Sequence, residues 1–121
     1  MKRYGAAKIQ VRHHNGLTLV ELLDEEILDE STIAAIAETL FAVVEDNAPV
    51  RMVLSFSRVK HLSSMALGTL IRLCKRVEES GGSLKLCNIR AALLEIFVIT
   101  KLNKLFDICD TEEMAINSFI A

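Results

Sequence analysis

The sequence lacks the features of a stapled, metal-bound or membrane-embedded protein. Its three cysteines, Cys74, Cys87 and Cys109, are odd in number and far apart in sequence. No CxxC pair or Cys/His cluster accompanies them, so neither a disulfide framework nor a zinc site is expected. Each sits among apolar neighbours and reads as a small core residue in a reducing compartment. His13, His14 and His61 show no ligand spacing. No apolar run approaches the length of a membrane span, and a longer one such as 40–44 covers only a turn or so. Lys8, Gln10 and Arg12 interrupt any apolar stretch after Lys2-Arg3, which argues against a signal peptide. Acidic residues number 16 against 14 basic ones, a net charge of −2, so no clustered basic face invites nucleic acid. The nearest approach to one is Lys2, Arg3, Lys8 and Arg12. The expectation is a cytoplasmic protein with no membrane span, nucleic acid, metal or cofactor.

What is present reads as a single domain over residues 1–121, long enough for a core without staples. Apolar residues make up 51% and charged residues 25%, as in ordinary globular proteins. Ile9 and Val11 alternate with Lys8, Gln10 and Arg12, a half-exposed strand. Asn15-Gly16 then signals a tight hairpin into a second, more central strand over 17–22. Asp24-Glu25-Glu26 is expected to be an acidic loop. Asp29 precedes a helix with the apolar stripe Ile33, Ile36, Ala37, Leu40 and Val44, which ends near Asp46-Asn47 ahead of Pro49, the only proline. A strand over 50–56 leads to a helix over 64–80, stopped by Gly81-Gly82.

Leu84 and Leu86 mark a further strand, and a helix is expected over 90–100. A short strand over 105–108 precedes a last helix, opened by the capping-box pattern Asp110-Thr111-Glu112-Glu113. Ala115, Ile116, Phe119 and Ile120 would dock that helix. The order β-β-α-β-α-β-α-β-α has no linker or repeat. Crossover helices force the later strands to be parallel. The fold class is therefore α/β: a mixed, mostly parallel sheet with an N-terminal antiparallel hairpin and about four packed helices.

The stretch 51–68 carries the candidate site. An apolar strand (Met52, Val53, Leu54) passes through a polar loop to Ser63-Ser64 at a helix start. Free backbone N–H groups and the helix dipole favour negative charge there. On a helical wheel Leu67, Leu70, Ile71, Cys74 and Val77 face the core, while Met65, Thr69, Arg72 and Arg76 face outward. Ser64, Gly68 and Lys75 line the border. The serines suit either helix capping or regulated chemistry. Met65 is either an isolated exposed apolar residue or a docking contact. Gly68, costly inside a helix, marks a close approach of the protein's own backbone or of a partner. No GxSxG elbow supports a serine nucleophile, and the carboxylates of 24–30 read as a solvated loop and helix start, so an enzyme is not expected.

The order of elements and the segment Val59-Lys60-His61-Leu62-Ser63-Ser64-Met65-Ala66-Leu67-Gly68 resemble the STAS domain of bacterial anti-sigma factor antagonists, with its V-x-x-[LFIM]-D-S-S-G-L-G motif. Residues 80–87, Ser-Gly-Gly-Ser-Leu-Lys-Leu-Cys, are similar to its GG-x-[LM]-x-[LV] strand entry. Residues 102–108, Leu-Asn-Lys-Leu-Phe-Asp-Ile, are similar to its closing L-x-x-[LI]-F-x-I segment. The resemblance spans nearly the whole chain. Three positions depart from it: Ser63 stands for the family aspartate, Ala66 for a glycine after the acceptor, and Glu26 for a glycine before the first helix.

This resemblance implies a STAS-like fold and a phosphoacceptor at Ser64. It implies as partners a serine-kinase anti-sigma factor, which the unphosphorylated protein sequesters, and a PP2C-type phosphatase that reverses phosphorylation. The docking surface would comprise Ser63, Ser64, Met65, Gly68 and Arg72 with the neighbouring Asp24 and Glu25. A phosphoserine adds about −1.5 to −2 charge, which would alter binding without unfolding the helix. The alternative is a non-phosphorylated STAS scaffold subunit of a transporter or larger signalling assembly, a reading supported by Ser63 in place of the aspartate.

Overall fold

The computed structural model describes residues 8–120, with the side chain of Ile120 outside the described set. Strands β1 (Ile9–His14) and β2 (Leu17–Leu22) form the expected antiparallel hairpin, His14 pairing with Leu17. Asn15 and Gly16 both take positive φ, 50° and 80°, the geometry a two-residue turn needs to match strand twist. Beyond them come β3 (Glu26–Ile27), α1 (Glu30–Asp46), β4 (Arg51–Ser55), β5 (His61–Leu62), α2 (Ser64–Glu79), β6 (Ser83–Cys87) and α3 (Ala91–Ile99). A 3-10 turn (Leu102–Lys104), β7 (Asp107–Cys109) and α4 (Glu112–Ile120) complete the chain.

The main sheet has the order β1-β2-β4-β6-β7, and every pair after the hairpin is parallel. A separate two-stranded parallel ladder joins β3 to β5. Alternation along the strands gives the sheet two faces. Val20, Leu22, Met52, Leu54, Leu84 and Leu86 meet the buried sides of α1, α2 and α3 in the larger core, which also takes in Phe56 and Phe97. Leu17, Leu19, Val53 and Cys87 meet Ala115 of α4 on the other face, with Ile116 and Phe119 beside them. Arg51 and Lys85 both sit over the Phe119 ring, at 5.3 and 4.7 Å from its centroid. They clasp α4 through cation–π contacts.

Gly82 sets the α2-to-β6 junction. A Cβ there would lie 2.2 Å from the Val50 carbonyl oxygen, so only glycine lets the chain pass.

Several expectations are corrected. Glu26 belongs to a strand rather than an acidic loop, because the Glu25 carbonyl accepts from the amides of Lys60 and His61. Leu105 and Phe106 both donate back to the Leu102 carbonyl, so the turn persists and β7 starts later than expected, at Asp107. The last helix is capped by Thr111, whose hydroxyl accepts from the Met114 amide at 3.1 Å. The third helical position is then Met114, and the reciprocal glutamate bond of a capping box is not available.

Candidate functional site

The two serines at the start of α2 have separate jobs. Ser63 has extended backbone angles (φ −85°, ψ 167°) and is the N-cap. Its hydroxyl accepts from the Ala66 amide at 3.1 Å, and its carbonyl accepts from the Leu67 amide. Ser64 is the first helical residue. It is exposed, and its hydroxyl makes no hydrogen bond among the described residues. The helix therefore keeps its cap whatever is attached to Ser64. Free amides at this end, together with the dipole, favour an anionic group at that hydroxyl.

The β3–β5 ladder fixes the surroundings. Glu26 lies beside His61 and Ile27 beside Leu62. The Ser63 amide donates to the Ile27 carbonyl at 3.1 Å and the Lys60 amide to the Glu25 carbonyl at 2.7 Å. Lys60 Nζ also pairs with the Glu25 carboxylate at 3.5 Å. Glu25 is thus brought to the base of the Ser63–Ser64 turn, as the sequence suggested. Asp24 leans the other way, its carboxylate 3.9 Å from Lys8 Nζ at the β1 edge.

The α1 start lies alongside. Asp29 is its N-cap, accepting from the Ser31 hydroxyl at 2.6 Å and the Thr32 amide at 3.0 Å. These donors, the Ser31 hydroxyl foremost, hold its carboxyl down at about 2. Leu28, just before it, is 46% exposed. The sequence places an aliphatic side chain directly ahead of a helix cap here but does not reveal that it stays exposed.

Met65 is exposed, as the wheel indicated. Thr69 is not: it is buried, and this corrects its outward assignment. The core face is centred on Ala66, Leu70, Leu73 and Val77, whereas Leu67 and Ile71 are only half-buried. The cause is that α2 packs on α1 as well as on the sheet, which widens the buried arc toward Thr69. Burial there costs little because the Thr69 hydroxyl donates to the Met65 carbonyl at 3.1 Å, satisfying it within the helix. Beneath it lies an almost wholly apolar cavity of about 20 Å³ between α1 and α2, lined by Ile33, Ile36, Phe56, Ala66 and Leu70 among others.

Gly68 contradicts the idea of a close internal backbone approach: a Cβ at that position would meet nothing within 4 Å. Arg72 stands two turns beyond Ser64, exposed, donating to Thr69 Oγ1 at 3.2 Å. It therefore sits apart from the immediate tip, about 12 Å along the axis at 1.5 Å per residue.

The cysteines remain free thiols. Cys74 and Cys87 are buried, and that burial pushes their thiols up to about 11 and about 12. Cys87 and Cys109, distant in sequence, are neighbours across the β6–β7 ladder. No group of His, Cys, Asp and Glu suited to a metal occurs among the described residues. No helix among them is long and apolar enough to cross a membrane.

Comparison with known proteins agrees with this architecture. The STAS domain family profile matches residues 8–115. The anti-sigma-B factor antagonist of Bacillus subtilis is 33% identical over 86 residues, covering 71% of this chain and 77% of that protein. The anti-sigma F factor antagonist of Paenibacillus polymyxa is 24% identical over 109 residues, covering 90% and 92%. Among solved structures, a STAS domain protein from Planctomyces limnophilus superposes with a TM-score of 0.84 at 21% identity, over 93% of this chain and 98% of that one. With its parallel sheet, antiparallel edge hairpin and capped α2 tip, the chain belongs to the STAS domain family.

Proposed function

We propose that the protein is an anti-sigma factor antagonist-like regulatory binding protein. Unphosphorylated, it captures a serine-kinase anti-sigma factor through the Ser64 tip and so withholds that factor from its sigma factor. The kinase transfers the γ-phosphoryl group of ATP to Ser64 Oγ, with loss of the hydroxyl proton, and the complex separates. A PP2C-type phosphatase hydrolyses the phosphoserine and restores binding. The chain supplies the acceptor and the docking surface, while the chemistry belongs to its partners. These roles place it in the cytoplasm.

One observation carries this reading: Ser63 alone caps α2, leaving Ser64 Oγ exposed and unbonded among the described residues at the helix N-terminus. The names of the Bacillus and Paenibacillus relatives support the class of partner. Gly68, bare and open one turn on, leaves room for a partner's backbone.

The test is titration calorimetry of the purified protein against the serine-kinase anti-sigma factors of its own host, with intact mass read after ATP is added. Wild type and Ser64→Ala are expected to bind, Ser64→Asp to bind at least about tenfold more weakly, since a carboxylate in an apolar contact must give up its water. Wild type alone should gain one phosphate. Equal binding by Ser64→Asp and Ser64→Ala would refute the switch and favour the scaffold role.

A further inference from the structure

Two of the exposed large apolar side chains lie on the segments that form the Ser64 tip, Leu28 at 46% and Met65 at 53% exposure. Leu28 follows Ile27 out of β3 as Ser63 follows Leu62 out of β5. The strands are parallel with Ile27 beside Leu62, and the Ser63 amide is bonded to the Ile27 carbonyl. Leu28 and the Ser63–Met65 turn therefore leave the ladder side by side. From the position before an N-cap an apolar side chain usually folds onto the fourth helical residue, here Ile33. Ile33 is buried, yet Leu28 keeps nearly half its surface in water.

The charge around this pair has one dominant sign. Glu26, Asp29 and Glu30 are exposed and have no cationic partner among the described residues. Glu25 is balanced by Lys60. Asp29, held down by its hydroxyl donors, stays ionised to about pH 2.

The geometry points to Leu28 as a second apolar anchor beside Met65, docking a partner protein whose face offers an apolar pocket edged by arginine or lysine. This rests on the reading of Ser64 as the centre of a docking surface. Buried aliphatic anchors supply the affinity, and the acidic collar speeds encounter with a basic face. The collar also constrains how phosphorylation acts. A phosphate joins carboxylates of its own sign, so a basic partner is not driven off by charge. It loses instead the dry contact at Leu28 and Met65, because a dianion there retains its water.

The experiment is photo-crosslinking in the native host, with benzoylphenylalanine placed at position 28, at position 65, or at exposed Val98 on α3 as a control. Positions 28 and 65 are expected to capture one and the same protein, through a peptide bearing arginine or lysine, and position 98 not to capture it. With that protein purified, Leu28→Ala is expected to weaken binding about tenfold and Leu28→Asp further, while Leu28→Met restores it. Melting curves establish that each variant is folded.

Capture from 65 but not 28, or wild-type binding by Leu28→Asp, overturns the anchor and leaves the Ser64 reading standing. Capture from both positions that survives Ser64→Asp does the reverse. No capture from either overturns both.

Discussion

Replacing each serine of the α2 start in turn separates structure from signal. In Ser63→Ala the Ala66 amide loses its acceptor at 3.1 Å, and Ala66 itself is buried. Losing a serine cap costs about 1 kcal/mol, with a range of roughly 0.5–2. An amide left without a partner lies toward the upper part of that range, although Ser63 is half-exposed and water can reach the gap in part. The expected loss is therefore about 1.5 kcal/mol, or roughly 4–6 °C in melting temperature for a chain of this length. Ser64→Ala removes an unbonded hydroxyl at a helical position that alanine favours, so its effect should stay within about 0.5 kcal/mol. Ser63→Asp should be neutral or stabilising, because aspartate caps as well as serine and its charge complements the helix dipole. The assay is urea unfolding followed by far-ultraviolet circular dichroism, with equal m-values required before midpoints are compared. A Ser64→Ala loss equal to that of Ser63→Ala would refute the division of roles.

Gly68→Ala meets open space and should stabilise α2 by about 0.5–1 kcal/mol while weakening capture of the kinase. A variant that gains stability in thermal melts yet binds as wild type in calorimetry would show that no partner approaches there. Asp29 has a folded-state pKa depressed from 3.8 to about 2. Its contribution to stability is thus present above the unfolded value and lost as pH falls through the folded one. Asp29→Asn should flatten the pH dependence of the urea midpoint between those values, and an unchanged slope would refute the assignment. Buried Cys74 and Cys87, with thiols pushed up to about 11 and about 12, should resist iodoacetamide at pH 8. Half-buried Cys109 should be labelled first, as peptide mapping would read out; prior labelling of Cys87 would contradict the packing of α4.

Much of this architecture is legible in local chemistry. Asn15-Gly16 dictates the hairpin because both residues tolerate positive φ, and after α2 Gly81 turns the chain at positive φ while Gly82 passes where a Cβ would strike the Val50 backbone. The main helices and strands follow from runs long enough to show a period. The β3–β5 ladder is illegible for the converse reason: two residues on each side carry no period, and their pairing depends on the loops that bring them together. Thr69 misleads because a helical wheel assumes one buried face, whereas α2 packs against two surfaces. At the tip, sequence marks a cap but not its phase, since either serine suits the role. The extended backbone of Ser63 decides between them. The side-by-side exit of Leu28 and Ser63 depends on that same unsignalled ladder.

Placing the cap on Ser63 and the free hydroxyl on Ser64 bears on how such a chain can change over generations. Substitution at position 64 should carry almost no folding cost, so the phosphate control proposed for Ser64 could be discarded in a single step with the module left intact. The reverse step is equally short, because the helix end that welcomes an anion persists in the absence of a serine to bear it. The proposed regulation would in this sense be a removable layer on the fold, and position 63 is where the fold itself would resist change.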